Sequence, residues 1–192
     1  MEKVSFIKGK KILVTGGAGF IGSNLCEYLL ENGAYVYCLD NFITGFRSNI
    51  SKFLEKKNFT LIEGDICDLK LCQQACNGVD FVLHNAALGS VPRSLKNPLD
   101  SHNVNINGFL NMLYAAKENK VKRFIYASSS SVYGNSTLDK SLIYCLALKY
   151  ASNSCGKTPS SAISSWKAQL LPKSELIMLD VASGSTQNVP FW

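Results

Sequence analysis

The stretch ILVTGGAGFIGSNL places Gly16, Gly19 and Gly22 at G-x-x-G-x-x-G spacing, directly between an apolar run and a helical pattern. Glycines at that spacing let the chain turn tightly, let backbone N–H groups approach a pyrophosphate and let a helix pack close to a strand. The helix N-terminus adds its positive dipole end. Asp40 closes the next apolar run, 18 residues after Gly22. An acid in that position accepts hydrogen bonds from an adenosine ribose and repels a 2′-phosphate, so the pattern predicts a dinucleotide site that prefers NAD to NADP. A second concentration of chemistry is YASSSSVYG, from Tyr126 to Gly134, where four serines close another strand-like run. Open parallel sheets bind ligands at the C-terminal edge of their strands, which makes these hydroxyls candidates for substrate contact.

Other side chains that could do chemistry have plainer readings beside them. His84 ends an apolar run and reads as a hydrogen-bonded core residue rather than an acid or base. Asn105 reads as a fastener of neighbouring backbone, and Arg93 as a solvated loop arginine more than a phosphate ligand. Asp65 could terminate a strand or contact a ligand. The seven cysteines form an odd set without a metal pattern. Cys72 and Cys76 would share a helix face, but no second pair or histidine follows at zinc spacing, so packed, reduced thiols and no metal are expected.

The elements that must position these residues alternate along the chain. KKILVT, AYVYCLD, FTLIEGD, VDFVLHNAA and KRFIYASSS read as five strands. Between them lie FIGSNLCEYLLENG, with Ile21, Leu25, Leu29 and Leu30 on one stripe ended by Gly33, and RSNISKFLEKKN, a basic helix. A short helix around Leu69 to Ala75 follows, then NVNINGFLNMLYAAKENK, with Val104, Phe109, Leu110, Met112 and Leu113 near helical spacing. That rhythm predicts an α/β fold: a doubly wound parallel sheet covered by helices on both faces.

Composition agrees. The chain has 192 residues, 46% hydrophobic and 18% charged, enough for one sizeable core but crowded for two domains. Its net charge of +6 is spread out and never interleaved with aromatics in a run, which argues against nucleic acid. The N-terminus lacks a signal-peptide pattern, and no segment approaches the roughly 18 apolar residues of a membrane span. The chain reads as cytoplasmic, with no membrane partner.

From about Lys11 to Gly134 the chain resembles the extended short-chain dehydrogenase/reductase, or NAD-dependent epimerase/dehydratase, family. Within it the UDP-N-acetylhexosamine 4-epimerases are most similar. TGGAGFIGSN, LDNFITG, GDICD, HNAALGSVPRSLKNP, NVNINGFLNML and YASSSSVYG carry the resemblance. It implies a Rossmann-type NAD-binding domain over residues 1–134. Gly16, Gly19, Phe20, Ile21 and Gly22 would then bind the pyrophosphate. Asp40, Asn41, Thr44 and Gly45 would bind the adenosine ribose, Asp65 and Ile66 the adenine, and Ala86 and Ala87 the back of the cofactor. Gly89 and Ser90 would face a UDP-sugar and its N-acetyl group. Ser129 would be the catalytic hydroxyl, with Ser130 beside it. Related 4,6-dehydratases carry Asp-Glu after that hydroxyl. Ser130 and Ser131 stand there instead, so the resemblance points to epimerisation at the sugar C4, without net oxidation. SSSSVYG also resembles UDP-glucuronate 4-epimerases, and GSVPRS argues against them. Family members commonly form homodimers through helices, for which the Val104–Lys120 helix is available.

The resemblance fails beyond about Asn135. In the family a Tyr-x-x-x-Lys pair follows the catalytic hydroxyl by about two dozen residues, the Tyr acting as base with its pKa lowered by the Lys. Here that register falls near Asn153, which has neither residue. Tyr144 and Lys149 lie five apart. On a helix they are offset by about 140°, against about 40° for an i, i+4 pair, and so face different sides. Residues 135–192 are serine-rich and lose the alternation. They are expected to form a poorly patterned tail on an incomplete fold without the substrate-capping domain: a truncated, catalytically impaired epimerase, or an NAD-binding module without catalysis.

Overall fold

A computed structural model describes residues 6–128, 176–180 and 185–188. Five parallel strands form its frame: β1 (Lys11–Thr15), β2 (Tyr35–Asp40), β3 (Phe59–Glu63), β4 (Phe81–His84) and β5 (Arg123–Ala127). β1 pairs with β2 on one side, Val14 opposite Cys38, and with β4 on the other, Val14 opposite Leu83. β3 flanks β2 and β5 flanks β4. The order is β3-β2-β1-β4-β5, continued by β6 (Leu176–Asp180) and β7 (Ser185–Asn188). Chain direction of travel reverses at β1, so the C-terminal ends of β1 and β4 border the crevice in which folds of this type bind ligands. Two compact units divide the chain. Residues 1–126 and 178–187 make one, and the other, 127–177 and 188–192, lies almost wholly outside the described residues.

The central strands β1 and β4 are buried on both faces, as in a parallel sheet covered by helices, whereas β3 and β5 are only partly buried. Alternate residues of β1 serve opposite layers. Ile12 and Val14 pack with Cys26 and Leu29 of α1 (Phe20–Glu31), whereas Leu13 packs with Cys72 of α3 (Leu69–Cys76) and Met112 of α6 (Phe109–Glu118). Cys72 and Cys76 are both buried, and burial pushes each thiol up to about 12.

Several elements depart from expectation. The basic segment is helical only over α2 (Arg47–Ile50) and one 3₁₀ turn, Ser51–Phe53, because Ile50 and Phe53 alone carry apolar side chains into the core. The long helix begins earlier, with α4 (Val91–Lys96) and α5 (Pro98–His102), each opened by a side-chain cap and a proline in the first turn. A π-helical turn, Asn103–Gly108, then feeds α6. Ile21 and Leu110 are exposed rather than on the buried stripes. On α1 the inward face is Gly22, Cys26, Leu29 and Leu30, which turns Ile21 outward. Within the expected tail, the apolar run LIMLD forms β6; most of the rest lies outside the described residues.

Candidate functional site

The loop between β1 and α1 is held by contacts rather than by its own sequence alone. Gly16 donates its N–H to Leu39 O at 2.8 Å and has a φ of 66°, a left-handed backbone that glycine adopts without strain. Its neighbour across the sheet edge is close. A Cβ at Gly16 would lie 2.8 Å from Ala86 N, and one at Gly22 only 2.1 Å from Gly16 O. Gly19 differs: a Cβ there would meet only Gly16 O, at 3.2 Å, so packing leaves its outer side open. α1 starts at this point without a side-chain cap and without an acid in its first turn. The N–H groups of Phe20, Ile21 and Gly22 therefore have no acceptor among the described residues. The Phe20 side chain is 83% exposed. The arrangement offers amides and a dipole to an anion and leaves room for it.

Asp40 lies at the end of β2, 7% exposed. Its Oδ2 accepts from Ala18 N–H at 2.9 Å and its Oδ1 from Phe42 N–H at 2.8 Å. The carboxylate thus ties the glycine loop to the loop after β2 and keeps lone pairs for a further donor. Gly45 is packed on it; a Cβ there would lie 2.9 Å from Asp40 Oδ1. The carbonyl of Ala18 accepts from Phe46 N at 3.0 Å and from the Asn49 amide at 2.8 Å.

On the other side of β1, Thr15 Oγ1 accepts from Ala86 N–H at 3.2 Å and meets His84 Nδ1 at 2.8 Å. The hydroxyl has lone pairs enough to accept from both and a proton to give, so either neutral tautomer of the ring is bonded there. The His84 ring packs against Phe124 and Phe109, and burial pushes its pKa down to about 4. It is a neutral, bonded core group. Asn105 clamps Leu88, donating to its carbonyl at 3.0 Å and accepting its N–H at 2.7 Å. Asn111 donates to Ile66 O at 3.1 Å and Cys67 O at 3.0 Å.

These loops border a cleft of about 90 Å³ that opens to solvent. Of the residues expected at a site, Gly16, Gly19, Asp40, Asn41, Thr44, Ile66, Ala86 and Ala87 line it. Phe20, Ile21 and Gly22 adjoin it in the first turn of α1, and Gly45 supports it from behind. Asp65 is not in the lining. Burial pushes its carboxyl up, but the Cys67 N–H at 2.8 Å and the Asn41 amide at 2.9 Å outweigh this and hold it below the ordinary value. Gly89 and Ser90 lie beyond the cleft; Ser90 caps α4 at a φ of 113°. The exposed Arg93 donates to Gly89 O at 3.2 Å. Ser129 and Ser130, with Tyr144 and Lys149, lie outside the described residues. Leu39, Gly64, Asn85, Leu88 and Val104 also line the cleft, unanticipated. The strand ends beside Asp40 and Ala86 point to the first four, since every C-terminal strand edge at a crevice is a candidate.

A loop packed without room for a Cβ at Gly16 and Gly22 and open at Gly19, with free amides beside it and an acid at the end of β2, fits a dinucleotide. Comparisons with known proteins agree. Residues 12–155 match the family described as NAD dependent epimerase/dehydratase. A UDP-glucuronic acid decarboxylase 1 from Danio rerio is 39% identical over 126 residues, covering 66% of this chain and 29% of its own. A UDP-glucose 4-epimerase from Klebsiella pneumoniae is 38% identical over 130 residues, 65% of this chain and 93% of its own. Among solved structures, a UDP-N-acetylglucosamine 4-epimerase from Methanobrevibacter ruminantium M1, in complex with UDP-N-acetylmuramic acid, superposes with a TM-score of 0.64 at 33% identity. That match covers 78% of this chain and 52% of the other. The chain thus spans under a third of the decarboxylase and about half of the solved epimerase. With its doubly wound sheet, its glycine cradle and a match over residues 12–155, the chain belongs to the NAD dependent epimerase/dehydratase family.

Proposed function

We propose that this chain binds NAD in the cleft and takes a UDP-N-acetylhexosamine beside it, as a 4-epimerase whose turnover is impaired. The observation that carries the cofactor half is the uncapped start of α1 above the Gly16–Gly22 cradle, with Asp40 facing the same cleft. Gly16, Gly19 and the Phe20 to Gly22 amides would hold the pyrophosphate. Asp40, Asn41, Thr44 and Gly45 would hold the adenosine ribose, with Asp65 and Ile66 toward the adenine and Ala86 and Ala87 behind. NAD bound there supplies a hydride acceptor for a sugar carbon. The buried carboxylate of Asp40 accepts from ribose hydroxyls and repels a 2′-phosphate.

The sugar half rests on GSVPRS, where Gly89 and Ser90 would meet the N-acetyl group, and on the likeness to the Methanobrevibacter epimerase. Ser129 would hydrogen-bond the sugar hydroxyl with Ser130 beside it. Impairment follows from the sequence: no Tyr has a Lys four residues later in the stretch where the base is expected. An unassisted serine is a poor base, and general-base assistance is worth about 10²- to 10⁴-fold. A UDP-glucuronate reading is favoured by SSSSVYG and by the decarboxylase relative, and the same assay separates it.

The test is calorimetry with NAD and NADP, and an epimerisation assay on the same preparation. NAD should bind more tightly than NADP, with negligible conversion between UDP-N-acetylglucosamine and UDP-N-acetylgalactosamine. Equal or tighter binding of NADP would refute the cofactor assignment. Turnover in the usual range of roughly 1 to 10³ per second, abolished by Tyr144→Phe, would refute the impairment. Stronger binding of UDP-glucuronate would favour the second reading.

A further inference from the structure

The positive charge that is spread out in the sequence is partly gathered by the fold along the N-terminal edge of the sheet, opposite the cleft. Backbone bonds join the strand entries into one continuous edge. Val36 N–H donates to Asn58 O, Tyr35 N–H to Lys10 O and Asp80 N–H to Lys11 O, each at 2.8 Å, and Lys122 N–H to Asp80 O at 2.9 Å. Lys8, Lys10, Lys11, Lys57, Lys120 and Lys122 stand on it, at or just before the starts of β1, β3 and β5. Of these, only Lys122 pairs with a carboxylate among the described residues, that of Asp80 at 2.6 Å. Glu31, Glu55 and Glu118 lie toward the same end and are outnumbered by the lysines. Two aromatic rings are exposed there, Phe6 at 53% and Tyr35 at 49%. Phe6 stacks on Phe81, centroids 5.3 Å apart, with the Arg123 guanidinium 5.7 Å from its ring centre.

We infer that this edge is a docking surface for an anionic lipid bilayer. The inference is independent of the NAD reading. Neighbouring strands stand about 4.8 Å apart, so the edge from β3 to β5 extends roughly 19 Å, far beyond a single phosphate. Ammonium groups strung over that length act as point charges, without the fork geometry that fixes one shaped anion. What suits them is an extended layer of negative charge. The exposed rings select lipid from among such layers, because an amphipathic ring such as that of Tyr35 settles at headgroup level and Phe6 adds an apolar contact beside it. Each lysine held near an anionic bilayer strengthens binding about fivefold. Seated on this edge, the chain keeps its cleft, at the C-terminal strand ends, on the side away from the lipid. The expectation of no membrane partner follows from the want of a spanning segment; a surface contact needs none, and the inference departs from it there.

Co-sedimentation of the full chain with vesicles tests this, using phosphatidylcholine alone and phosphatidylcholine with about 30% phosphatidylserine. The chain should bind the anionic vesicles only, and salt on the order of 0.5 M should release it. Replacing two lysines of the edge together, Lys8→Gln with Lys120→Gln, should weaken binding about 25-fold. Lys70→Gln with Lys96→Gln removes as much charge from exposed positions away from that edge and should change binding less than about threefold. All four side chains are exposed, so melting temperatures should match the parent. No binding to anionic vesicles overturns the inference. Equal binding to neutral vesicles overturns it by removing the charge from the argument, and equal losses in the two double variants overturn it by removing the edge. Tighter binding of poly-glutamate or duplex DNA than of the vesicles, at the same ionic strength, overturns it in favour of another polyanion.

Discussion

The two flanks of the cleft are fastened to different degrees. On the β1–β2 side, Ala18 is held at both ends, its N–H by Asp40 and its carbonyl by Phe46 N–H and the Asn49 amide, and a Cβ on Gly16, Gly22 or Gly45 would come within 3 Å of a neighbour. On the β4–α4 side, the chain from Asn85 to Ser90 is held at the Asn85 and Ala86 N–H groups and by the Asn105 clamp on Leu88. Beyond Leu88 a Cβ at Gly89 would meet nothing within 4 Å, and Leu95 and Leu99 are each 79% exposed. On the proposed assignment the tight flank would hold the cofactor, as preorganisation favours, and the looser one would meet the substrate.

The sharpest way to break this contrast is to add one methyl group on each side. Gly22→Ala pushes a Cβ into Gly16 O and should destabilise the chain by about 3 kcal/mol or more, with NAD affinity falling at least about 100-fold. Gly89→Ala should stay within about 0.5 kcal/mol and leave NAD binding intact. Urea melts and calorimetry on both variants check this; similar losses would erase the distinction.

Acid probes the interior of the β4 side. The folded pKa of His84 is about 4, against an ordinary 6.5. Between those values the unfolded chain binds more protons, so stability is full above about pH 6.5 and falls as pH drops toward 4, by up to about 3 kcal/mol from this group. His84→Gln should flatten the slope of melting temperature against pH in that window. A parent chain equally stable at pH 6.5 and pH 4.5 would contradict the assignment of a neutral, buried ring.

Asp40→Ala removes two hydrogen bonds to a carboxylate and should cost about 2 kcal/mol of stability, weaken NAD about tenfold and narrow its advantage over NADP. The smallest effect is a gain. Ser90 sits at a φ of 113°, which glycine adopts with less strain, so Ser90→Gly should gain more from relieved strain than it loses with the long cap to Arg93 N–H, a net rise of about 0.5 kcal/mol. NAD affinity should not move, because Ser90 is outside the cleft lining.

What could be read from residue order alone follows the range of the interactions. The glycine spacing and Asp40 are legible because their geometry is set within one strand–turn–helix–strand unit. β1, β2 and β4 are legible as short apolar runs, largely buried, and the half-buried β3 and β5 by their β-branched and aromatic residues between turn signals. The burial of the Asn85 amide without a hydrogen-bond partner among the described residues is not, since no spacing of residues marks it. Asn111 was missed as well, because its acceptors, Ile66 and Cys67, are 45 and 44 residues away. The outward turn of Ile21 and Leu110 was missed because apolar spacing identifies a stripe but not which way the helix is rolled against the sheet. α4 and α5 were missed because each is a turn or so long, set by caps at Ser90 and Asn97 rather than by apolar periodicity.

The π turn at Asn103–Gly108 constrains which lengths the chain can have. It sets the roll of α6, and Gly108 sits where a Cβ would come 2.7 Å from Ile66. One residue added or removed there rotates everything downstream by about 100°, swinging Asn111 off the Ile66 carbonyl and Met112 out of the core. The turn from Leu54 to Asn58, which is mostly exposed, has no such phase to keep. Insertions and deletions among relatives should therefore collect at the second place and be excluded from the first.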